Sequence, residues 1–100
     1  MKNNKLEIEM KKLAEEYHFN LFNLQNNDER IPIYLKKREM IQNTLLKMNQ
    51  EERLLIAFIF LYPEEKNIIE KRYQKQEYEI KKNLALVSFF HCLKQQKMLL

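Results

Sequence analysis

The sequence of 100 residues contains no Gly, no Trp, only two Pro and a single Cys. Without Gly, turns that need a positive φ and two-residue β-hairpins lack their usual residue. Cys92 alone cannot form an intrachain disulfide, and a structural zinc site would lack its thiolates. Val and Thr each occur once, so strand-favouring residues are scarce. These absences argue against a β-rich, disulfide-stabilised or zinc-stabilised fold.

Long apolar stretches are also missing. The longest covers residues 54–62, far short of the roughly 20 residues needed to span a bilayer. The charged N-terminus does not resemble a signal peptide. We therefore expect a soluble protein of the reducing cytoplasm with no membrane association.

The residues that dominate are good helix formers: Leu, Lys, Glu, Gln, Met and Arg. No Pro-, Gly- or Ser-rich linker divides the chain, so residues 1–100 are predicted to form one domain. The fold class that follows is all-α, a compact bundle of four to five helices.

Apolar spacing and capping residues place the helices. The first is predicted over about 3–18, followed by a polar turn at 25–30 in which Asp28 caps a second helix over about 31–48. Asn49 and Glu52 resemble a capping box that opens a buried third helix. A fourth helix is predicted to begin at Pro63. The last segment, over 78–98, is predicted to form either one helix or two that break near residues 85–88. The predicted core is Leu6, Met10, Leu13, Tyr17, Ile41, Leu45, Leu55, Phe58, Ile59, Ile69, Tyr73, Leu84 and Phe90.

Catalytic chemistry has little to build on. Ser88 and Asp28 are the only residues of their types and lie far apart in the sequence. His91 and Cys92 are adjacent, so on a helix they do not face each other. No His or Glu spacing typical of a metal site occurs. We expect no enzyme activity, no cofactor and no metal.

Charge is distributed unevenly. Residues 71–100 contain seven Lys or Arg and two acidic residues, whereas the preceding part is close to neutral. Such a basic end favours a polyanion or an acidic protein surface as partner, and a solvated basic face is the simpler alternative. The candidate partner-binding residues are Arg72, Lys75, Lys81, Lys82, His91, Lys94, Gln95 and Lys97. A homodimer through the apolar residues Met98, Leu99 and Leu100 is a further expectation.

Residues 61–73, Leu-Tyr-Pro-Glu-Glu-Lys-Asn-Ile-Ile-Glu-Lys-Arg-Tyr, resemble the opening of a sigma-factor region-four helix-turn-helix, as in phage and mobile-element regulators of the ArpU type. The resemblance implies a second helix from Glu79 and a recognition helix over 88–97, although Ala85 stands where the family has Gly. His91, Lys94, Gln95 and Lys97 would then face the DNA groove or phosphates, and Arg72 and Lys75 the DNA backbone.

Two functions follow. The first is a small helical regulatory protein associated with transcription, which binds DNA or the transcription machinery through its basic C-terminal helices. The alternative is a phage- or mobile-element-type helical adaptor or inhibitor that acts purely by protein–protein contact. Salt distinguishes the two, because only binding to phosphates weakens steeply as salt rises.

Overall fold

The computed structural model describes the backbone of residues 4–24 and 31–99, and within them the side chains of residues 5–18 and 36–96. This part of the chain contains five α-helices and no strand. The all-α prediction is confirmed. The predicted turn at 25–30, with Asp28 as helix cap, lies outside the described residues, as do the side chains of the proposed dimer contacts Met98, Leu99 and Leu100.

The helices are α1 (Asn4–Leu24), α2 (Ile31–Lys47), α3 (Gln50–Ile56), α4 (Lys66–Glu70) and α5 (Lys75–Leu99). A π-helical turn, Ala57–Leu61, follows α3, and a 3₁₀ turn, Pro63–Glu65, precedes α4. Helix α5 packs against α1, α2 and α3, so it is the element around which the bundle is assembled.

The predicted capping box at the start of α3 is confirmed. The Glu52 backbone N–H donates to Asn49 Oδ1 at 2.8 Å, and Asn49 Nδ2 donates to Glu52 Oε1 at 3.0 Å. The first bond satisfies a backbone donor that a helix N-terminus otherwise leaves free, and the second holds the two side chains together. The chain therefore turns sharply between α2 and α3 without Gly.

The apolar run after the capping box is buried on most sides, but it is not one regular helix. The Tyr62 N–H donates to the Ala57 carbonyl oxygen at 2.7 Å, a bond across five residues that widens the last turn. The widened turn changes which side chains point inward. Leu55, Ile56 and Leu61 are fully enclosed, whereas Phe58, which we expected at the centre of the core, is only half-buried.

The core combines residues from all five helices and the π-helical turn. Met10 and Tyr17 of α1 and Ile41 of α2 are buried as predicted. The only Thr of the chain, Thr44, is also fully buried; its hydroxyl donates to the Met40 carbonyl oxygen at 2.7 Å, which satisfies its one donor within the helix. The buried set is Met10, Ala14, Tyr17, Ile41, Met48, Leu55, Ile56, Ile59, Phe60, Leu61, Ile69, Tyr78, Ala85, Leu86, Phe89 and Leu93.

The C-terminal segment is a single helix. The break considered near residues 85–88 does not occur, because α5 runs without interruption from Lys75 to Leu99. Ala85, at the position of the family's turn glycine, is a strong helix former and continues the helix. The recognition helix expected over 88–97 is therefore the second half of a longer helix, not a separate element.

Candidate functional site

Helix α5 carries apolar side chains on two opposite faces. One face is the core face, and its buried residues are Tyr78, Lys82, Ala85, Leu86, Phe89 and Leu93. On the other face, Ile80, Leu84 and Val87 are 60%, 54% and 49% exposed. We call Ile80, Leu84, Val87 and the exposed His91 the α5 stripe. Leu84, expected in the core, is thus a surface residue.

Spacing gives the stripe its geometry. The four residues are separated by 4, 3 and 4 positions, the repeat that keeps side chains in line along one side of a helix. Continuing the repeat in both directions reaches Glu77 and Lys94, both exposed. The surface is therefore an apolar centre with an acidic residue before it and a basic residue after it.

Two of the predicted partner-binding lysines are engaged with carboxylates. Lys82 is 8% exposed, and its Nζ lies 3.3 Å from Glu7 Oε1 and 3.1 Å from Glu79 Oε2. Lys81 Nζ lies 3.3 Å from Glu51 Oε1, while the Tyr73 hydroxyl donates to Glu51 Oε2 at 2.9 Å. The bonds from Tyr73 and then from Lys81 lower the pKa of Glu51. These lysines connect helices within the bundle.

The other predicted residues are exposed but separated. Arg72 and Lys75 lie where α4 leads into α5, and His91, Lys94 and Gln95 lie on the second half of α5. The side chain of Lys97 is outside the described residues. With a rise of 1.5 Å per residue, Lys75 and Lys94 stand roughly 28 Å apart along the helix axis. The stripe lies between them, so these cations do not form one continuous basic surface.

A cleft of about 440 Å³, lined by both polar and apolar side chains, lies near the other side of α5. Its lining includes Glu7, Tyr78, Glu79 and Lys82. Burial lowers the pKa of Lys82, but the hydrogen bonds to Glu79 and Glu7 outweigh it and leave the pKa above its ordinary value. The Tyr78 hydroxyl is enclosed and has no hydrogen-bond partner among the described residues. Burial, and then the nearby Glu70, Glu79 and Glu7, raise the pKa of Tyr78 to about 12.

Replacing Tyr78 with Phe should leave the free energy of unfolding unchanged or raise it by up to about 1 kcal/mol, because the hydroxyl lost was buried without a partner. Because the pKa of Tyr78 is raised in the folded protein, the free energy of unfolding should fall as pH rises from 10 to about 12. Tyr78→Phe should remove the part of this pH dependence that comes from Tyr78. Urea unfolding at neutral and alkaline pH measures both effects. Tyr73→Phe is the matched control, since the Tyr73 hydroxyl donates to Glu51 Oε2 at 2.9 Å, and it should cost about 1 kcal/mol at neutral pH. An equal loss in both variants would contradict the assignment.

Among residues 4–24 and 31–99, the structure brings together no group of three His, Cys, Asp or Glu side chains that could hold a metal ion. None of the helices in these ranges is long and apolar enough to cross a membrane. Cys92 is half-buried against the core.

Comparison of the chain with protein-family models, with curated proteins and with solved structures gave no match. Function is therefore inferred from the arrangement of this chain's own residues. The resemblance of residues 61–73 to sigma-factor region four remains a prediction.

Sequence reasoning missed the stripe, although its signal was present. The stripe has the same 4-3-4 spacing as the apolar residues by which α1 was predicted, Leu6, Met10, Leu13 and Tyr17. Helix α5 also contains Tyr78, Ala85, Leu86 and Phe89 with helical spacing, so either face could have been the core face. Of the lysines that the sequence indicated instead, Lys82 is buried and Lys81 is paired with Glu51.

Proposed function

We propose that this chain is a small helical adaptor or inhibitor that acts by protein contact through the α5 stripe. The observation that carries the proposal is the row of three half-exposed aliphatic side chains, Ile80, Leu84 and Val87, opposite the core face of α5. Single exposed apolar residues are ordinary on protein surfaces, but an aligned row at the helical repeat is the feature by which one helix recognises another.

The arrangement of charge supports protein contact over phosphate contact. Lys81 and Lys82 are engaged by Glu51, Glu7 and Glu79. The exposed cations lie toward the two ends of α5, with the apolar stripe between them. Affinity for nucleic acid comes mainly from several cations that neutralise neighbouring phosphates together, and an apolar strip in the middle contributes nothing to that. A transcription protein, rather than DNA, would still fit the role that the resemblance of residues 61–73 implies.

The test is binding of the purified protein to a pool of duplex DNA at low and moderate salt. We expect no binding that weakens steeply with salt. The double variant Lys94→Glu, Lys97→Glu should behave as the wild type does. Lys5→Glu, Lys12→Glu is the matched control, because it changes the net charge equally on exposed positions of α1. Salt-sensitive binding that is lost in the α5 variant and kept in the α1 variant would overturn the proposal in favour of DNA binding.

A further inference from the structure

We infer that the α5 stripe pairs with the stripe of a second copy of this chain, with the two α5 helices antiparallel. The inference rests on the proposed function and names the partner of the same surface. A two-fold symmetric pair needs a surface that is complementary to itself. The α5 stripe meets this requirement in one orientation only.

The register follows from the spacing. If the symmetry axis passes midway between Leu84 and Val87, each Leu84 faces Val87 of the second copy. Ile80 then faces His91 of the second copy, and Glu77 faces its Lys94. The position opposite Lys75 is 96, so nearly the whole of α5 (Lys75–Leu99) overlaps with its counterpart. Every stripe residue therefore has an opposite residue in the pair.

Charge selects the orientation. In the antiparallel pair, each end brings a Glu77 carboxylate to a Lys94 ammonium of the other copy. In a parallel pair with the two helices aligned residue for residue, Glu77 would face Glu77 and Lys94 would face Lys94. Like charges placed opposite each other disfavour an arrangement, whereas exposed opposite charges add little affinity but specify direction. Glu77 and Lys94 are both exposed and not part of the core, so they are free to serve this purpose.

Affinity should be modest. The contact is one helix face with three aliphatic residues per copy, and interfaces at the small end of the size range form weak or transient complexes. The dimer should therefore populate between micromolar and millimolar protein, where sedimentation equilibrium or light scattering across a dilution series measures the dissociation constant.

The first arm of the experiment replaces Leu84 with Lys, and we expect the dissociation constant to rise at least roughly tenfold, because a charge is placed at the centre of the contact. The matched control is Leu46→Lys, the same change at the exposed Leu46 of α2, which should not alter dimerisation. A wild type that is monomeric at all concentrations would overturn the inference, as would equal weakening by both variants.

The second arm tests orientation by disulfide cross-linking in a Cys92→Ala background. A mixture of Glu77→Cys and Lys94→Cys chains under a mild oxidant should form the mixed dimer preferentially over either self-linked dimer. Self-linked dimers of each variant in preference to the mixed one would indicate a parallel pair and overturn the inference.

The two proposals fail separately: a monomeric wild type removes the second copy as partner, whereas salt-sensitive DNA binding through α5 removes the protein-contact function even if a dimer forms.

Discussion

Replacing Phe89 with Ala is expected to lower the free energy of unfolding by about 3–5 kcal/mol. Phe89 is completely enclosed on the core face of α5, and its ring packs edge-on against Phe90 with centroids 5.3 Å apart. The large cost has two parts: the transfer of the ring's apolar surface, and the cavity that neighbouring helices cannot fill. Urea unfolding followed by circular dichroism measures the change.

The adjacent Phe90 provides the control for Phe89. Phe90→Ala makes the same chemical change one position along the same helix, but Phe90 is only half-buried. Its cost should be smaller by at least about 1 kcal/mol, because part of its ring already contacts water. Leu46→Ala, at a residue 68% exposed, should fall within about 0.5 kcal/mol of the wild type. Equal costs for Phe89 and Phe90 would show that α5 is rotated relative to the structure described.

Removing both carboxylates that hold Lys82 should destabilise the bundle by about 2–4 kcal/mol. In the variant Glu7→Met, Glu79→Met, the buried ammonium of Lys82 loses both acceptors, which lie 3.3 Å and 3.1 Å away. A buried charge without a partner is costly, although the remaining exposure of the Lys82 side chain keeps the cost below that of full burial.

Adding Lys82→Met to that variant is expected to restore most of the lost stability. Well-packed apolar residues often replace a buried ion pair without loss, whereas breaking the pair on one side is expensive. Thermal unfolding of the wild type, the double variant and the triple variant at neutral pH gives both differences. A triple variant no more stable than the double would show that the carboxylates contribute through packing rather than through Lys82.

Much of the fold could be predicted from the sequence because it depends on local chemistry. Asn49 and Glu52 form hydrogen bonds with each other within one turn and so begin α3. Pro63 begins the 3₁₀ turn before α4, because Pro is favoured in the first turn of a helix. The run over residues 54–61 contains no polar side chain, so most of it is buried. Ile68 and Ile69 show the limit of local reasoning: the two are adjacent and equally apolar, but a helix of five residues buries one side, so Ile69 is buried and Ile68 is exposed.

Of the α5 stripe and the charges at its ends, the sequence indicated only His91 and Lys94 as partner-binding residues. The predicted partner-binding residues that are exposed are Arg72, Lys75, His91, Lys94 and Gln95. The roles of the other described lysines depend on residues far away in the chain: Glu7 is 75 positions before Lys82, and Glu51 is 30 positions before Lys81. Nothing in the local sequence shows whether a lysine will meet water or a carboxylate, because that is decided by which helices pack together.

The sequence by itself determined that this chain is helical, where α3 begins and that the run after Asn49 is buried, since each of these depends on residues within a few positions of one another. Only the tertiary structure decided which face of α5 is the core face. Tyr78, Ala85, Leu86 and Phe89 fit a buried side as well as Ile80, Leu84 and Val87 do, because both sets have helical spacing. Contacts with α1, α2 and α3 cover the first set and leave the second as an apolar stripe facing outward.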